Sequence, residues 1–92
     1  MLTASQCRAA RGLLDWTQQE LADAAHIGVA TIRQFEGGAT EPRHATLAVL
    51  KQALELAGIE FIDENGTGEG VRFRKPRRTR RKKRGNKVAW QQ

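Results

Sequence analysis

Among the side chains that could do chemistry are two neighbours, Arg33 and Gln34, within the segment 18–36. A guanidinium carries a rigid fork of donors, and a carboxamide carries a donor beside an acceptor. These are the shapes that make bidentate hydrogen bonds to guanine and adenine edges. Charge is the second resource: Arg77, Arg78, Arg80, Arg81, Lys82, Lys83 and Arg84 form a dense basic run suited to a polyanion such as a nucleic-acid backbone. Other reactive types stand alone. Cys7 is the one cysteine, so it has no disulfide partner, and His26 and His44 are the only histidines. No Gly-rich phosphate loop, metal-ligand spacing or nucleophile–base pair occurs, so the sequence argues against an enzyme and calls for no cofactor or metal.

Charge divides the chain sharply. Up to Val71 there are five Lys/Arg against ten Asp/Glu, a net of −5. From Arg72 onward there are eleven Lys/Arg and no acid, a net of +11, which leaves +6 for all 92 residues. That length is room for one domain with a modest core, and help from dimerisation or a buried ion pair is expected. No apolar run is long enough to span a membrane. The start Met-Leu-Thr-Ala lacks the basic and apolar regions of a secretory signal. With a single cysteine, these features indicate the reducing cytoplasm.

The elements that must position Arg33 and Gln34 are legible from caps and periodicity. A first helix is expected over about 4–14, with Thr3 as N-cap, Gln6 closing a capping box, and Leu2 and Cys7 as a hydrophobic staple. Cys7, Ala10 and Leu14 then share an apolar face, which makes Cys7 a small buried hydrophobe rather than a reactive thiol. The second helix repeats the device with Thr17, Glu20 and the staple Trp16–Leu21, ending near Ala24 or Ala25. A third follows Gly28, stapled by Ile27 and Ile32, and stops at Gly37-Gly38. A fourth starts between Arg43 and Thr46, carries Leu47, Leu50, Leu54 and Ala57 inward, and ends at Gly58.

Beyond Gly58 the period changes to two. Residues 59–62 and 71–74 read as strands around a turn-rich loop, a β-hairpin with Ile59, Phe61, Val71 and Phe73 on one face. A lone hairpin is marginal in water, so that face must pack on the helices or on a second subunit. From Lys75 on there is almost nothing to bury and the like charges repel, so disorder is expected. The resulting division is 1–58, helical; 59–74, hairpin; 75–92, basic tail.

A very short turn, Ala25-His26-Ile27-Gly28, joins the second and third helices. Leu21, Ala25, Ile27, Ile32 and Phe35 pack the pair together, and Ala22 is small at the crossing. On these residues the segment resembles the phage-repressor-like (XRE) helix-turn-helix family, over about Leu2 to Ala57. The resemblance implies a mainly α, lambda-repressor-like helical bundle that binds double-stranded DNA. It also implies an ion pair between Arg11 and Glu36. Carried over position by position, Val29, Ala30, Arg33 and Gln34 face the bases, Thr31 and Gln18 reach phosphates, and Arg43 touches backbone or minor groove. One departure stands out: His26 occupies the turn position where the family usually has glycine, a left-handed conformation that His tolerates better than most.

The reading that follows is a sequence-specific transcriptional regulator, a repressor acting as a homodimer, with the hairpin as the dimer element. Two other readings compete. One is an antitoxin whose tail wraps a toxin partner, although Val88 and Trp90 are its only apolar anchors. The other is RNA binding through the basic tail.

Overall fold

The computed structural model describes residues 2–63, 66 and 68–75. Four helices, α1 (Ala4–Leu14), α2 (Gln18–Ala25), α3 (Val29–Glu36) and α4 (His44–Leu56), precede strands β1 (Ile59–Ile62) and β2 (Gly70–Phe73).

Both capping boxes form. Thr3 Oγ1 accepts the Gln6 N–H at 3.1 Å, and Gln6 Oε1 accepts the Thr3 N–H at 3.1 Å. In α2, Thr17 Oγ1 accepts the Glu20 N–H at 3.0 Å and Glu20 Oε1 accepts the Thr17 N–H at 2.7 Å. These bonds satisfy amide donors that a helix start leaves orphaned. The helix exits share one logic. Asp15 (φ 58°), His26 (φ 58°) and Gly38 (φ 78°) adopt left-handed backbone after α1, α2 and α3. The next residue then reaches back: Trp16 N–H to Arg11 O at 2.9 Å, Ile27 to Ala22 at 3.0 Å, Ala39 to Gln34 at 2.9 Å. This is the Schellman closure, which satisfies the last carbonyls. His26 thus takes the glycine conformation anticipated for it. Asp15 does the same at a position the sequence did not flag.

The strands pair antiparallel with Ile59 opposite Phe73 and Phe61 opposite Val71, so the four apolar residues share one face as expected. The second strand starts and ends one residue earlier than its sequence pattern suggests. Arg74 still donates its N–H to Gly58 O at 2.8 Å, in register with the ladder, while its side-chain Nη2 reaches the last turn of α4 at Glu55 O, 2.6 Å away. A cation at the negative end of a helix is favourable. The apolar face of the hairpin packs on α1 and α4 of the same chain.

The core gathers Cys7 and Ala10 of α1, Leu21, Ala22 and Ala25 of α2, Ile32 and Phe35 of α3, Leu47, Leu50 and Leu54 of α4, and Ile59 of β1. Ala22 is buried where the helices cross. Helix α1 is the shared support, with α3 packed on it as well as β2. Among the described residues no helix is long and apolar enough to cross a membrane.

Candidate nucleic-acid interface

Helix α3 is short, and its two faces differ completely. Ile32, Phe35 and Glu36 are buried, whereas Ala30, Arg33, Gln34 and Gly37 are exposed. The latter set falls at i, i+3, i+4 and i+7, one continuous stripe. Arg33 and Gln34 are therefore both exposed on the outer surface, on the same side of the helix as Ala30. Val29 and Thr31 flank the stripe and are half-buried; Val29 packs partly against the core. Of the four residues the resemblance turned toward the bases, three lie on the open stripe and Val29 leans inward. Arg43 is exposed, in extended backbone at the N-cap of α4.

The inner end of α3 is held by Glu36, whose carboxylate is a hub. Arg11 Nε donates to its Oε2 at 2.8 Å and Arg11 Nη2 to its Oε1 at 2.7 Å, a bidentate clasp. Gln18 Nε2 donates to Oε1 at 3.1 Å and Cys7 Sγ to Oε2 at 3.1 Å. Arg11 Nη1 continues to Trp16 O at 2.9 Å, and Arg8 Nη1 caps the Glu36 carbonyl. One carboxylate thus ties α1, the entry to α2 and the end of α3 together. The side chain of Glu36 is only 2% exposed and that of Arg11 19%. Burial disfavours the charge, but the donors Arg11, Gln18 and Cys7 outweigh it and hold Glu36 below the usual carboxylate range. The Cys7 thiol is pushed far up, first by burial and then by its bond to Glu36, so it stays protonated and donates.

The Arg11–Glu36 ion pair is present, and two side chains that attend it, together with a third long-range clamp, were invisible in the sequence. Gln18, which the resemblance places at a phosphate, donates its amide N–H to Glu36. Cys7 is more than a small hydrophobe, since it supplies the fourth side-chain bond to the hub. Gln6 does two jobs. Besides closing its capping box, its buried Nε2 donates to Gly70 O at 3.1 Å and Ile62 O at 3.4 Å, pinning the hairpin to α1. The basic-tail residues Arg77, Arg78, Arg80, Arg81, Lys82, Lys83 and Arg84 lie outside the described residues.

A family model described as helix-turn-helix matches residues 8–61, more than half of the chain. The chain belongs to the XRE-type helix-turn-helix family. It is thereby a DNA-binding transcription regulator of that type. No individually curated protein matches it. In XRE terms, α2 and α3 are the two helices of the motif, and α3 is the one that carries the exposed Arg33–Gln34 stripe.

Proposed function

We propose that this XRE-type protein reads double-stranded DNA sequence-specifically, laying α3 in the major groove, and acts as a homodimeric repressor. The observation that carries the reading is the exposed stripe Ala30–Arg33–Gln34 on a helix whose opposite face is clamped by Glu36. A rigidly held helix presents its side chains in one register, which bidentate contacts require. Arg33 is assigned to guanine N7 and O6 and Gln34 to adenine N6 and N7. Ala30 suits a thymine methyl. Thr31, Arg43 and the α2 entry around Gln18 serve the backbone, and Val29 supports the helix more than it reads. Because Gln18 is bonded to Glu36, a phosphate there would be met by an amide already fixed in place. Two copies reading half-sites about one helical turn apart match a pseudo-palindromic operator, and occupancy of such a site blocks transcription.

The test is selection of bound duplexes from a random library, with wild type beside Arg33→Ala and Gln34→Ala. Each variant is expected to relax preference at one or two base positions, with about 1–3 kcal/mol lost per contact. Unchanged preferences in both variants would overturn direct readout by α3.

A further inference from the structure

Helix α4 buries Leu47, Leu50 and Leu54, yet its opposite face is also apolar. Ala45, Ala48, Val49, Gln52 and Leu56 are exposed along it, without a charged side chain among them. Val49 is 41% exposed and Leu56 81%, and they are the exposed large hydrophobics among the described residues. They stand seven residues apart, two turns along one face. Surface aliphatics scattered singly need no explanation, but two aligned on an uncharged stripe do.

We infer that this face of α4 is the contact surface for a second copy of the chain, packed antiparallel about a two-fold axis between Gln52 and Ala53. Residues equidistant from that axis meet, so Val49 of each copy lies against Leu56 of the other, and Gln52 sits beside the axis, within one residue of its own counterpart. The flanking charges fit the same arrangement. Lys51 and Glu55 edge one side of the stripe, and an antiparallel pair brings matching sides together, Lys51 opposite the partner's Glu55. Among the described residues neither takes part in an ion pair within the chain. Lys51 also lies over the Phe61 ring, 5.8 Å from Nζ to the centroid. The apolar face of the hairpin, by contrast, is already covered by α1 and α4. A stripe of five residues buries less than the roughly 1,200 Å² of a stable interface, so free association is weak. The surface gives the proposed homodimer its contact, and it stands or falls without DNA.

The test uses the purified full-length chain without DNA and a short bis-maleimide cross-linker. Gln52→Cys is expected to give covalent dimer at least tenfold above Gln19→Cys, an exposed position on α2. Wild type should give none, because Cys7 is buried. Leu56→Glu in the Gln52→Cys background should abolish the dimer with circular dichroism unchanged. Lys51→Glu should lower it, and Lys51→Glu with Glu55→Lys should restore it. Equal yields from Gln52→Cys and Gln19→Cys, indifference to Leu56→Glu, or stronger cross-linking from Arg72→Cys on the hairpin would each overturn the proposal. Relaxed base preference in Arg33→Ala alongside a failed cross-link would leave DNA readout intact and reject this surface alone.

Discussion

Glu36→Gln is the sharpest probe of what holds α3 in place. Glutamine keeps the shape and removes the charge. It also converts one acceptor oxygen, on which Arg11 and either Gln18 or Cys7 now converge, into an N–H₂ group facing donors. Removing one partner of a buried ion pair costs about 3–5 kcal/mol, because the other charge is stranded. Here the stranded group is Arg11, whose side chain is 19% exposed and keeps its bond to Trp16 O. That access to water brings the expected loss to about 2–3 kcal/mol. Against a total stability of order 5 kcal/mol for a domain this small, the effect is large. With a urea dependence near 1 kcal/mol per molar, the unfolding midpoint falls by about 2–3 M, measured by far-ultraviolet circular dichroism. In a cycle with Arg11→Ala, the two changes together should cost at least about 1 kcal/mol less than their sum. A midpoint shift under about 0.5 M would refute the view that this carboxylate organises the motif.

Further outcomes follow from the same geometry. Glu36 has a folded pKa below its ordinary value, so its contribution is full above the usual carboxylate range and disappears as pH falls through the depressed value. The stability gap between wild type and Glu36→Gln should therefore be constant from pH 7 to about 5 and close below about pH 4, read by urea unfolding at each pH. His26 sits at φ 58°, so His26→Gly should relieve backbone strain and raise stability by about 0.5–1 kcal/mol, seen as a higher thermal midpoint; a lower midpoint would show that the imidazole contributes more than its backbone costs. Ending the chain after Lys75 removes eight Lys/Arg. That truncation should weaken binding to all duplexes alike and reduce the salt slope by up to about 7 in fluorescence anisotropy titrations; an unchanged slope would assign the tail a different purpose.

What could be read from the chain was what is local. Capping boxes, staples and glycine exits each act within five or six residues, so Thr3–Gln6, Thr17–Glu20 and Gly37-Gly38 announced their helices almost to the residue. The outward aspect of Arg33 and Gln34 followed from their offsets to Ile32 and Phe35. Arg11–Glu36 was reachable only through family resemblance, because 25 residues separate the partners. What stayed hidden was bonding between distant side chains. Nothing local marks Cys7 as a donor to Glu36, or Gln6 as a clamp on strands 56 and 64 residues away. The bond from the Arg74 side chain to Glu55 O was hidden for the same reason, since 19 residues separate the two. Asp15 went unflagged because aspartate is common in turns of every hand.

The amide of Gln6 has a consequence for how the molecule can be taken apart. A protein trimmed after Gly58 would keep every helix, yet that buried nitrogen would lose both strand carbonyls and the core would lose Ile59, which is fully buried. The hairpin is therefore the wedge that seats the first helix, and Arg11, one turn further along, inherits its position from it. Minimal versions of this protein should stop no earlier than Arg74.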